Sequence, residues 1–366
     1  MGQVPTRLLA AGWVAAVALA VLATAALAAQ GAQGPGLPAA APPLARVAGP
    51  HTLPAGATTP LSQPTATTLK PRSRAERAAP RPSMATTTVL PPPPVIAAGP
   101  EIPDGKGMWI WQPEFASGGN AAAVVAVAQA VGLTHLFVRT GSAWDGLQNM
   151  EYLDQLLPLA QAANLKVYGW DFPKLASPAD DVFRAKAALD HVAPGGFHLD
   201  GFAADIETSD EGTQFTPAAA QAYGAALRAA VGPSTLLIAV VPNPTPQMLE
   251  KYSYDAVVGA FDAVAPMVYW LNRDPGQDTA NALHYLSRYG KPLMPIGQAY
   301  DGGLDGGPPG VPPPAALLRF VAVAKQYGAV AVSFWSWQHA NPPAWDAIKT
   351  APQFIVQPKP RPPSKR

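Results

Sequence analysis

The sequence predicts an α/β protein: a single (β/α)8 TIM barrel, preceded by a hydrophobic N-terminal segment and a disordered proline-rich linker. Three observations predict it. From Lys106 to about Gln353, short apolar runs alternate with Ala-rich stretches of helical spacing, the pattern of parallel strands joined by crossover helices. The runs number eight, and eight units in about 250 residues is the ordinary size of such a barrel. Upstream of residue 100 the composition shifts to one that cannot build a core. The chain therefore divides into residues 1–29, 30–100, 101–355 and 356–366.

The first segment reads as a signal peptide or an N-terminal membrane anchor. Arg7 and the free amine precede an uncharged apolar run from Leu8 to Ala29. Ala26-Leu27-Ala28 offers a small-x-small cleavage site, and the run also reaches the roughly 20 residues that span a bilayer. With either outcome the positive N-terminus stays inside, and the rest is expected to be extracytoplasmic, secreted or anchored.

The second segment contains no Phe, Trp or Tyr, and Pro91 to Pro94 form an unbroken run of prolines. It buries too little apolar surface to offset its chain entropy and is expected to be an extended, partly polyproline-II tether. Its basic cluster, Lys70, Arg72, Arg74, Arg77 and Arg81, suits contact with anionic lipids or wall polymers. The basic tail from 356 to 366 repeats this chemistry.

In the third segment the expected strands are Met108–Trp111, His135–Arg139, Lys166–Trp170, Gly201–Glu207, Leu236–Val241, Ala263–Trp270, Pro292–Gln298 and Ala329–Trp337. Stretches such as 120–131, 217–231 and 314–327 carry helical spacing behind helix-starting residues. The formal net charge of +1 hides an asymmetry. Residues 101–353 hold 14 Lys+Arg against 23 Asp+Glu, a net of −9, while the flanks hold 11 against one, a net of +10. An acidic barrel argues against nucleic acid as a ligand, because phosphate binding needs basic charge at the site.

With no cysteine there is no disulfide framework, thiolate metal site or cysteine nucleophile. There is also no G-x-S-x-G elbow, Gly-rich phosphate loop or H-E-x-x-H. Neither cofactor nor metal is expected, and the protein is expected to act as a monomer.

Active sites of such barrels lie at the C-terminal ends of the strands. The residues closing the eight runs supply the candidates for substrate binding: Trp111, Arg139, Trp170, Asp171, Asn243, Trp270, Gln298, Tyr300 and Trp337. Sugar rings pack their C–H faces on aromatic rings and offer hydroxyls to Asp, Asn, Gln and Arg, so this mixture suits a carbohydrate groove. Of nine tryptophans, seven lie on the runs or just after them, Trp144 among them. Trp109 and Trp335 are expected in the core, where large aromatics usually go.

The fourth run carries the sharpest signal. Strand alternation puts Asp205 and Glu207 on one face at the mouth. Two neighbouring carboxylates raise one another's proton affinity, which keeps one protonated near neutral pH, and a glycosidase needs such an acid for its leaving oxygen. The bland alternative is a strand-end pair that binds an Arg or caps a loop. The Gly302–Gly307 loop reads either as a lid over the seventh run or as an ornate surface loop.

Leu199 to Glu207 resembles the fourth-strand signature of glycoside hydrolase family 18, apolar-D-G-x-D-x-D-x-E, matching it at Asp200, Gly201, Asp205 and Glu207. Met267-Val268-Tyr269 is similar to that family's M-x-Y, and Trp335 or Trp337 resembles its last-strand tryptophan. The resemblance implies Glu207 as proton donor, Asp205 as the group that orients a substrate acetamido, and Tyr269 as a stabiliser of the intermediate, with Met267 beside the substrate. One position departs: Ala203 stands where the signature has its first inner Asp. The opening Met-Trp-Ile-Trp and the Pro-Met-Val-Tyr-Trp also resemble a broader group of exported bacterial barrels placed with the glycoside hydrolases. The implied function is hydrolysis of β-linked, N-acetylated polysaccharide, of peptidoglycan type or environmental; a barrel that only binds such glycans is the alternative.

Overall fold

In a computed structural model that describes residues 99–354, the expected runs form a closed parallel barrel. The segments 1–29, 30–98 and 356–366 discussed above lie outside the described residues. The strands are β1 (Gly105–Ile110), β2 (His135–Ser142), β3 (Gly146–Leu147), β4 (Lys166–Phe172), β5 (Gly201–Asp205), β6 (Leu237–Pro242), β7 (Ala263–Val268), β8 (Ile296–Gln298) and β9 (Ala331–Trp335). Their order is β1-β9-β8-β7-β6-β5-β4-β2-β3, and β1 also pairs with β2, which closes the ring of eight. The short β3 stands outside the ring as the antiparallel return arm of a hairpin on β2. Among the described residues no helix is long and apolar enough to cross a membrane.

Alternation sorts each strand into two cores. In β6, Ile238 and Val240 point into the barrel with Trp109, Phe137, Tyr168 and Trp170, whereas Leu237, Ala239 and Val241 face the surrounding helices. The barrel is therefore filled by side chains, with Trp109 stacked on Phe137 at 4.1 Å. Helices form within the expected stretches 120–131, 217–231 and 314–327, and a further one, not read from the sequence, spans Pro342–Thr350. Asn120, Thr216 and Asn341 each accept a backbone N–H three residues on, opening Ala121–Val131, Pro217–Val231 and Pro342–Thr350. Lys106, fully buried on the outer side of β1, donates to the carbonyls of Ile348 (2.7 Å), Lys349 (3.3 Å) and Ala351 (3.3 Å) at the end of that last helix.

Strand ends differ from the expected runs at several places, the sixth run stopping at Val268 and the last spanning Ala331–Trp335, and two further differences have a clear cause or consequence. The seventh run keeps only Ile296–Gln298, because Pro292 and Pro295 have no N–H to give the ladder and leave a single bridge, Val264 to Leu293, below it. The fourth run ends at Asp205, with one more ladder bond from Ile206 N–H to Val240 O (3.1 Å). Glu207 is thus carried on the first residues of the loop.

Candidate active site

The C-terminal ends of the strands bring together Trp111, Arg139, Asp205, Glu207, Tyr269, Gln298, Tyr300 and Trp335. Each lies at the end of a strand or within two residues of it, except Arg139, which lies three residues before the end of β2. Asp205 closes β5 and is 9% exposed, and its Oδ1 has no hydrogen-bond partner. Burial, followed by the charges of Asp171 and Glu211, pushes its carboxyl up to about 7, against an opposing pull from Arg139. Glu207 is half-buried. Burial first, then Asp205 and Glu211, hold its carboxyl well above the usual range, although the Thr208 N–H draws it back. Two acids at one mouth, both with raised proton affinity, can hold and transfer a proton near neutral pH.

Tyr269 follows β7 and packs edge-on against Tyr300 at 5.3 Å between ring centroids. Burial and the surrounding Tyr300, Asp205, Glu207 and Asp305 keep its phenol protonated, so it stands as a donor. The Tyr300 hydroxyl donates to Asp305 at 2.6 Å. This contact, with Asp301 Oδ1 accepting from Gly303 (2.9 Å) and Gly310 (2.7 Å), pins the glycine-rich loop beside the mouth. Gln298 is buried and accepts from Leu271 N–H at 2.9 Å, which fixes the turn after Tyr269. Arg139 donates to Asp145 at 2.6 Å and lies 6.0 Å over the Trp170 ring.

On the other side Trp111 and Trp335 approach with centroids 6.3 Å apart, and His339 lies 6.0 Å from Trp111. Both tryptophans are half-buried. Trp335, expected in the core, therefore walls the mouth, since it is the last inward residue of β9 and nothing lies above it on that strand. Trp109, one inward position lower on its own strand, is buried and donates to Ser333 at 2.8 Å.

Several candidates lie elsewhere. Asp171 falls on the outward side of β4, where Arg184 of the helix Pro178–Asp190 grips it with bonds of 2.6 and 3.0 Å. It holds a helix against the sheet and does not face the mouth. Trp270, 2% exposed, packs outward on Phe320 at 5.7 Å. Trp337, 6% exposed, packs outward on Trp345 at 4.8 Å, because the chain has left β9 and turned, with its N–H bonded to Trp109 O at 2.8 Å. Between the two tryptophans of the last run, Trp335 is the one facing the site.

Trp170 and Met267 point into the barrel but are buried below the mouth, Trp170 donating to Ile110 O at 3.2 Å. Asn243 is half-buried at the end of β6 and donates to Asp278 at 2.9 Å. Asp200 sits at the opposite end of the barrel wall, bonded to Lys166 and to Val167 N–H, both at 2.8 Å. Ala203, paired with Trp170 and Ile238, lies fully buried in the apolar interior.

The sequence reading missed Glu211 and Asp305, whose charges reach Glu207 and Tyr269 respectively. Glu211 had a signal: it lies four residues past Glu207 on the same strand-following loop.

No family model matches the sequence, and no curated protein matches it. Among solved structures the chain is similar to an endo-beta-1,4-mannanase from Thermotoga petrophila, at 10% identity over 67% of this chain and 75% of that one, with a TM-score of 0.49. It is similar to a GH18 chitinase from Flavobacterium johnsoniae at 13% identity, over 69% and 94% of the two chains, with a TM-score of 0.45. A chitinase-like agglutinin from Robinia pseudoacacia is similar at 16% identity, over 68% and 99%, with a TM-score of 0.45.

Proposed function

We propose that the barrel is a glycosidase acting on a β-linked, N-acetylated polysaccharide of the cell envelope or the environment. One observation carries this reading: Asp205 and Glu207, both with raised proton affinity, meet at the C-terminal mouth of the barrel beside an aromatic wall. A sugar held on Trp111 and Trp335 presents its glycosidic oxygen to Glu207. That oxygen takes the Glu207 proton and the C–O electron pair as it leaves, and water then adds to the anomeric carbon and returns a proton to the Glu207 carboxylate. Asp205, through its unpartnered Oδ1, accepts a hydrogen bond from the substrate, as an acetamido N–H offers. Tyr269 donates to oxygen on which charge develops.

Glu207→Gln keeps shape and removes the transferable proton. Turnover of a cleavable glycan is expected to fall roughly 10²–10⁴-fold, with binding retained. Unchanged turnover would remove Glu207 from the role.

A second reading rests on Ala203. The position of the absent inner carboxylate is occupied by a methyl group in an apolar interior, which suits a barrel that binds glycans without cleaving them. Peptidoglycan or chitin that sediments with the protein and is never cleared favours this reading.

The uncharged run before residue 30 and the aromatic-free tether support action outside the membrane. Protease added to intact cells is expected to release the barrel by cutting the tether. Protection of the barrel until the cells are lysed argues for the inside.

A further inference from the structure

We propose that Trp144, on the hairpin between β2 and β3, forms an additional sugar subsite beside the mouth, so that the site takes a polysaccharide chain and not only a short oligosaccharide. This rests on the reading of the mouth as a glycan site. Trp144 is 54% exposed, whereas Trp109, Trp170, Trp270 and Trp337 are buried. An indole left this far in water at a rim that already gathers acids and aromatics has apolar area to offer a ligand.

Three contacts hold the ring in place. Phe172, at the end of β4, packs against it with centroids 4.7 Å apart, and Lys174 Nζ lies 5.9 Å from its centroid. A Cβ built on Gly212 would lie 3.2 Å from Trp144 Cζ2, so the loop after β5 runs along the indole edge.

The turn beneath the ring is equally fixed. Ser142 Oγ accepts the N–H groups of Trp144 (3.2 Å) and Asp145 (3.0 Å) and donates to the Asp145 carboxylate (2.8 Å), which Arg139 also binds. The close pairing of Gly141 with β3 belongs to the same design, since a Cβ there would meet the Gly146 carbonyl at 2.5 Å. A platform ordered before its ligand arrives loses little entropy on binding.

Position decides the ligand. The loop that touches Trp144 through Gly212 begins at Glu207 and carries Glu211, whose charge is felt by both Asp205 and Glu207. Trp144 is therefore one loop away from the proposed acid, on the same rim. The indole packs on Phe172 at the end of β4 and beside the loop that follows β5, so it borders the side of the mouth on which Asp205 closes β5. The ligand class that offers successive apolar ring faces separated by hydroxyls along such a rim is a linear polysaccharide.

Chain-length dependence tests this, with β-1,4-linked N-acetylglucosamine dimer and hexamer as probes and Glu207→Gln as the background that stops turnover. Trp144→Ala is expected to weaken hexamer binding about tenfold while leaving dimer binding within about twofold, as loss of one sugar–indole contact requires. Trp144→Phe is expected to restore most of the loss. Equal weakening at both lengths, or none at either, overturns the subsite. Hexamer binding that depends on Trp144 in a protein whose wild type never cleaves the hexamer supports the subsite and overturns the hydrolytic reading alone. If neither probe binds the wild type, both fall.

Discussion

Asp205 shows how one residue couples the site to the stability of the fold. The unfolded chain loses its carboxyl proton near 3.8, while the folded protein holds it up to about 7. Between those values the folded state carries the extra proton, so this residue stabilises most at acid pH and its contribution is lost as pH rises toward 7. Asp205→Asn has no proton to lose. Urea midpoints followed from pH 4 to 7 are expected to fall more steeply for wild type than for the variant. Parallel curves would mean that Asp205 ionises as freely in the fold as outside it. A carboxyl kept at this expense, with one oxygen unpartnered, is more at home in a site that binds something than in a wall that merely closes.

Among the elements, the joint between β1 and the helix Pro342–Thr350 is the clearest case of local chemistry serving closure. The helix leaves its last carbonyls without N–H partners, and the Lys106 ammonium satisfies three carbonyls there from the neighbouring strand. Lys106→Met keeps the stem and removes the donor, so buried carbonyls go unpaired. A loss of about 2–3 kcal/mol in urea unfolding is expected, with glycan binding unchanged because the joint is remote from the mouth. A change within about 0.5 kcal/mol would show that water or a neighbour serves those carbonyls equally well. The hairpin on β2 illustrates the opposite use of an element. It follows an irregularity in pairing between Arg139 and Gly141, where the strand shifts register against β4 and turns outward to carry Trp144.

For the molecule as a whole, a ring closed by β1 with both β9 and β2 has no open strand edge within the barrel, and residues 99–354 form both an inner and an outer core. A chain of those residues alone is expected to unfold in urea in one cooperative transition. Loss of that transition on removing the first 98 residues would mean that the tether packs on the barrel. Charge follows the same division, since the acidic part is the barrel and the basic part its flanks. The charges of Glu211 and Asp305 at the mouth repel an acidic polymer, whereas a neutral glycan meets no such repulsion.

Eight strands, their order along the chain, and the helix starts at Asn120 and Thr216 were all legible in the sequence. Hydrophobic period and capping chemistry are local properties that survive without knowledge of the partners. The direction of a side chain just past a strand end was not legible. Alternation holds only while the ladder holds, and beyond Val268 and Trp335 the chain turns, which sent Trp270 and Trp337 outward to Phe320 and Trp345. Asp171 failed for a related reason: it is the outward neighbour of the inward Trp170, and its partner Arg184 lies on a helix whose packing no strand pattern reveals. What the sequence determined by itself was the barrel and the set of strand-end residues from which its mouth is drawn. Which of them share that mouth, and which acids there keep their protons, depended on burial and on charges brought together from distant strands, which only the closed tertiary structure decides.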